Sequence, residues 1–120
     1  MAWNFNGSKP VYIQIAERLR NDIITGNYAP GEQIPPVRQL AVTAAVNPNT
    51  MQRALTELKN QGLICARDTS GCFVTEDVEI LSDAKKNAAK ELVSDFLRQA
   101  EYMSISKEEL IRMIEKENEQ

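Results

Sequence analysis

The chain contains no histidine, only two cysteines, five glycines and 6% aromatic residues, and its 17 acidic residues outnumber its 14 basic ones. Without histidine there is no Ser-His-Asp or Cys-His proton relay and no HExxH metal helix. Cys65 and Cys72 alone are too few for a disulfide framework and a poor ligand set for zinc. The glycines are scattered, so neither a dinucleotide-binding nor a Walker phosphate loop can be assembled from them. No apolar run approaches the ~18–20 residues of a membrane span, and the opening MAWNFNGSKP lacks the apolar core of a signal peptide. The composition thus points away from an enzyme and from a membrane protein. The expected protein is cytoplasmic, with no cofactor and no metal.

The net charge of −3 is unevenly spread. Residues 1–75 hold seven basic side chains against five acidic ones, whereas residues 76–120 hold seven against twelve. Such a split suggests a division of labour between the halves.

What is present is a run of short amphipathic elements. Val11, Ile15, Leu19 and Ile23, with Tyr12, Ala16 and Ile24 beside them, form a stripe at helical spacing behind Ser8-Lys9-Pro10. A second helix is predicted from about Pro36 to Ala44, burying Val37, Leu40 and Ala41. Asn47-Pro48 predicts the start of a third, with Asn as cap and Pro in the first turn. Met51, Ala54, Leu55 and Leu58 make its inner face, and Gly62 its stop. Two β-prone runs, Leu63–Arg67 and Cys72–Thr75, follow as a hairpin. A turn centred on Thr69 and Ser70 sets Arg67 opposite Cys72 and Cys65 opposite Val74, so the thiols do not face each other and read as packing residues. Helix, turn, helix and hairpin within residues 35–74 is the layout of a winged helix, which lays its second helix in the major groove of DNA.

Glu76–Leu81 reads as a connector to a helix capped by Ser82 and Asp83, carrying Ala84, Ala88, Leu92, Phe96 and Ala100. Ser106 and Glu109 form a capping box for a last helix with Leu110, Ile111 and Ile114. Two such helices have no core of their own and need a partner surface. The expected fold is therefore mainly α with a small β-hairpin: a winged helix-turn-helix DNA-binding domain over residues 9–76 and a two-helix C-terminal dimerisation element over 82–118.

The motifs Pro10-Val11-Tyr12-x-Gln14-Ile15, Pro30-Gly31, Pro35-x-Val37-Arg38-x-Leu40-Ala41, Val46-Asn47-Pro48-Asn49-Thr50, Arg53-Ala54, Gly62-Leu63 and Gly71-x-Phe73-Val74 stand in this order. In them the chain resembles the GntR family of bacterial transcription regulators, within it the small YtrA-like branch. The resemblance covers residues 9–75 closely and implies a repressor that binds an inverted-repeat operator as a homodimer. Other branches carry a large effector-binding domain, for which the roughly 45 residues after the hairpin are too few.

Expected partners are a double-stranded DNA operator and a second copy of the chain, with no membrane; no small-molecule effector is named by the residues. By resemblance, Arg38 contacts phosphate or base from the second helix. Asn49, Thr50, Gln52 and Arg53 open the recognition helix, about residues 48–61. Asn and Gln there suit adenine, and Arg suits guanine or a phosphate oxygen. Asn47 is expected to cap the helix and touch a phosphate, Gly71 to shape the wing, and Tyr12 and Gln14 to pack. Leu92, Phe96, Leu97, Leu110, Ile111 and Ile114 are the expected dimerisation residues. Two departures from the family pattern stand out. Pro36 replaces the usual serine cap, and the wing tip Asp68-Thr69-Ser70-Gly71-Cys72 carries no cation, so recognition should lean on the third helix. A winged helix turned to protein–protein contact is the competing expectation.

Overall fold

Pro10 occupies the N-cap of the first helix, α1 (Val11–Ile24), whose Ile15, Ala16, Leu19 and Ile23 are buried. These positions recur every three to four residues, so one face of α1 is apolar and packs mainly against α3 (Pro48–Asn60). Between them in the chain comes α2 (Val37–Ala44), with Pro36 one residue before the helix rather than in its first turn. The structure, a computed structural model, describes residues 2–117. The expected boundary at residue 118 lies outside that range.

Three helix ends close in the same way. After α2, Ala45 takes a left-handed φ of 58°, its N–H bonds to the carbonyl of Val42, and Val46 N–H bonds to that of Ala41. After α3, Gly62 (φ 77°) bonds to Lys59 and Leu63 to Leu58. After the fourth helix, Ser104 (φ 60°) bonds to Glu101 and Ile105 to Ala100. Each pair satisfies carbonyls that would otherwise be orphaned at a helix end. Only one of the three left-handed residues is glycine; the other two accept the cost of a Cβ there.

The hairpin comprises β1 (Ile64–Ala66) and β2 (Cys72–Val74), antiparallel, with Ile64 opposite Val74, Cys65 opposite Phe73 and Ala66 opposite Cys72. This differs by one residue from the expected pairing. Arg67 N–H bonds to the Gly71 carbonyl, and Ser70 N–H to that of Arg67, so three residues intervene rather than two. Asp68, at a φ of 50°, makes that wider turn. Cys65 and Cys72 still do not pair, since adjacent register positions point to opposite faces. Along its other edge β2 takes up Gly31–Ile34 as a third extended segment: Gly31 N–H bonds to Val74, Val74 N–H to Glu32 and Ile34 N–H to Cys72. Ile34 thereby enters the core together with Leu40, Met51, Leu58, Leu63, Ile64 and Val74.

The fourth helix, α4 (Val78–Tyr102), begins earlier than the sequence suggests. Asp77 Oδ1 accepts from the N–H groups of Glu79 and Ile80, so Asp77 caps it and Ser82 and Asp83 lie inside the helix. Ile80, Leu81 and Ala84 pack against the core, and the first compact unit runs to Lys85, beyond the expected end at residue 76. The second unit, from Lys86, contains the rest of α4 and α5 (Lys107–Glu117). Ser106 Oγ accepts from Glu109 N–H at the start of α5. Ala100 and Leu110 are the buried apolar side chains among the described residues of this unit. No helix among the described residues is long and apolar enough to cross a membrane.

Candidate nucleic-acid interface

The first turn of α3 is built by its own sequence. Asn47 holds an extended backbone while its side-chain oxygen accepts from Asn49 N–H at 2.7 Å, and Pro48 supplies the fixed φ of the first helical residue. Burial of Met51, Ala54, Leu55 and Leu58 then fixes the rotation of the helix. That rotation leaves Asn49, Gln52, Arg53 and Thr56 exposed and Thr50 half-buried. Thr56 Oγ donates to the Gln52 carbonyl, so its hydroxyl hydrogen is used within the helix. The side-chain amides of Asn49 and Gln52 have no hydrogen-bond partner among the described residues.

The cations divide into spent and unspent. Lys9 pairs with Glu17 at 2.7 Å. Arg67 stacks on Phe73 at 4.6 Å and lies 3.8 Å from Glu76. Arg18 stacks on Trp3 at 4.2 Å. Arg38, exposed in the first turn of α2, has no ion pair or hydrogen bond among the described residues. Arg53 has one recorded contact there, the ring of Tyr12, 4.1 Å from its guanidinium carbon. Within the helix-turn-helix, Arg38 on α2 and Arg53 on α3 thus keep their donors free, as Arg18, held only by its ring contact, does on α1. Guanidinium forks in that state suit phosphate oxygens and the acceptor edge of guanine.

Gly71 is explained by its neighbours. Its φ is 112°, and a Cβ there would lie 2.8 Å from Gln33 Nε2, which donates to the Ser70 carbonyl across the wing. The glycine makes room for this tie, so substituting it would disturb the wing whether or not the tip touches DNA. Burial first, and then the nearby Asp22 and Glu32 carboxylates, raise the Tyr28 phenol above its ordinary value.

Among the expected dimerisation residues, Leu92 is 72% exposed, and Phe96, Ile111 and Ile114 are about half exposed. Leu97 is half-buried. Leu110 differs: at 7% exposure it is covered within the chain. Its place in the stripe hid this, because periodicity reports a buried face without saying which surface buries it.

Three contributors were not assigned by sequence reasoning. Gln14, expected only to pack, clamps the N-terminal arm, accepting from Asn6 N–H and donating to the carbonyls of Asn6 and Lys9. Gln33 ties the wing, and Tyr12 holds Arg53. Tyr12 and Gln14 stand in the motif Pro10-Val11-Tyr12-x-Gln14-Ile15 but were expected to pack, and nothing in the order of residues singles out Gln33.

Comparison with known proteins follows the same outline. The family profile of bacterial regulatory proteins, gntR family, matches residues 11–74. The HTH-type transcriptional regulator YhcF of Bacillus subtilis is 34% identical over 110 residues, covering 92% of this chain and 91% of YhcF. The HTH-type transcriptional repressor YtrA of the same organism is 31% identical over 104 residues, 86% of this chain and 80% of YtrA. Among solved structures, a GntR family transcriptional regulator from Listeria monocytogenes superimposes with a TM-score of 0.82 at 35% identity, covering 93% of this chain and 98% of that one. The AraR DNA-binding domain, solved in complex with its operator ORX1, gives a TM-score of 0.56 at 28% identity over 60% of this chain and 93% of that one.

Proposed function

Because the chain belongs to the gntR family of bacterial regulatory proteins, we propose that it is a repressor that binds an inverted-repeat operator as a homodimer through α3. DNA-binding transcription regulation, not catalysis, is the work of this family. The observation that carries the finer reading is the unspent Arg53 beside the unpartnered Asn49 and Gln52 on the exposed face of a capped helix. In that position these side chains reach base edges while Arg38 and the capped helix start address phosphates, with Asn47 at their border. Two copies of α3 about 34 Å apart would enter successive major grooves on one face of the duplex. Repression is supported by the relative YtrA, named a repressor, and operator binding by the AraR complex. The exposed Leu92, Phe96, Ile111 and Ile114 support a second copy as the partner of the tail. The cytoplasm is the matching compartment.

The test is a titration against the promoter of its own gene, with a scrambled duplex as control, at two salt concentrations. About four phosphate contacts per dimer would lower the affinity roughly a hundred-fold on a fourfold rise in salt. Selective binding with that response is the expected result. A competing reading, protein contact through the wing, is favoured by the absence of cations from the tip and by the net charge of −3. It predicts salt-indifferent association and no preference for the promoter.

Within the DNA-binding reading, α3 and not the wing tip dominates. Arg53→Ala is expected to weaken promoter binding about 10- to 100-fold at fixed salt. Thr69→Ala, at the tip, is expected to stay within about twofold. Thr69 is chosen because, unlike Gly71, its replacement requires no backbone rearrangement. The reverse order would move recognition to the wing.

A further inference from the structure

We propose that Tyr12 is a positioning residue for Arg53, holding the guanidinium of the recognition helix in place before DNA arrives. The inference rests on the reading of α3 as the DNA-contacting element. Tyr12 belongs to α1, is half-buried and packs against the core, so its ring is anchored. Arg53 lies on α3, is exposed, and sets its guanidinium carbon 4.1 Å from the ring centre. α1 and α3 pack together, and Ile15, Leu19, Met51 and Leu55 are buried in the core they share, which fixes the two anchor points relative to each other.

The chemistry of the pair explains why an aromatic ring serves better here than a carboxylate. A carboxylate would hold Arg53 by its N–H donors and so consume what an incoming acceptor needs. A ring holds the π-face by cation–π attraction and leaves the in-plane donors free. An unrestrained arginine must also freeze several torsions when it binds, a cost that stacking removes in advance. The contrast with Arg67 is instructive, since it stacks on Phe73 but also lies near the Glu76 carboxylate. Arg53 makes no ion pair among the described residues, the Glu57 carboxylate one turn on being bonded by Gln61 Nε2.

Two measurements on the full chain test the proposal. In NMR spectra of the free protein, the Arg53 side-chain protons are expected to carry a ring-current shift that survives Tyr12→Phe and disappears in Tyr12→Leu. In promoter titrations, Tyr12→Leu is expected to weaken binding about three- to fivefold and Tyr12→Phe less than about twofold. Introduced into Arg53→Ala, Tyr12→Leu should add less than about twofold, because the group it positions is gone. This non-additivity separates positioning from a general loss of packing, which would weaken both backgrounds equally. Equal losses in both backgrounds, a loss in Tyr12→Phe as large as in Tyr12→Leu, or an absent ring-current shift would each overturn the proposal. A wild-type chain that shows the shift but has no preference for the promoter would instead sink the DNA-binding reading, and Tyr12's role in readout with it.

Discussion

A chain ending at Lys85 is expected to fold, to remain monomeric, and to bind a two-half-site operator about 10²–10⁴-fold more weakly than the full chain. The first unit ends at Lys85 and has its own core, running from Ile15 to Val74. What the cut removes is the rest of α4 and all of α5, with Leu92, Phe96, Ile111 and Ile114 exposed along them. If those side chains join two copies, the second half-site is bound at the high effective concentration of a tethered domain, and that gain is lost on truncation. The position of the cut decides what is learned. Ending the chain at Thr75 would also strip Ile80, Leu81 and Ala84 from the core, so weak binding there could reflect lost packing. Sedimentation, circular dichroism and a promoter titration at one salt concentration check the three parts of the prediction. A folded truncated chain that binds as tightly as the full one would refute the tail's role in dimerisation.

The second large effect falls on stability. Leu58→Ala should cost about 2–5 kcal/mol, the range for emptying a leucine site in a packed core. Leu58 is 1% exposed on the inner face of α3, and its carbonyl receives the Leu63 N–H that closes the helix end. A unit of some 85 residues has about 4–13 kcal/mol to lose in total, so this one substitution would remove a large share of it. Urea denaturation followed by circular dichroism gives the comparison, with Thr56→Ala on the opposite face expected within about 0.5 kcal/mol of the parent. A drop below about 1 kcal/mol for Leu58→Ala would mean that neighbouring side chains collapse into the space.

The first three helices and the class of fold were legible because each is encoded locally. Asn47-Pro48 starts α3 by hydrogen bonding and a fixed φ, both properties of adjacent residues. The inner faces of α1 and α3 repeat at helical spacing, so the core residues could be named from the chain alone. Errors arose where two signals competed or where the deciding partner was distant. Ser82 and Asp83 offered a credible cap, but Asp77 supplied one earlier, because Ile80 and Leu81 gain by packing on the core as helix. The hairpin register turned on one left-handed residue, Asp68, a conformation that aspartate adopts more readily than most without announcing it. For the candidate site, the sequence pointed to the exposed residues of α2 and α3 but not to what holds them. Tyr12 and Arg53 stand 41 positions apart, and Gln33 and Ser70 stand 37 apart. No periodicity within one element can report such pairs.

The tie from Gln33 to the wing changes what a tip without a cation is able to contribute. With Gly31–Ile34 bonded along one edge of β2 and Gln33 reaching the Ser70 carbonyl, the two strands of the hairpin belong to a small three-segment sheet and do not form a free flap. A loop that must become ordered on a ligand subtracts that lost freedom from the affinity. Here the ordering has been done during folding, so the tip can lie against a groove as a rigid edge at little entropic cost. Shape, rather than charge, would be its offering to the complex.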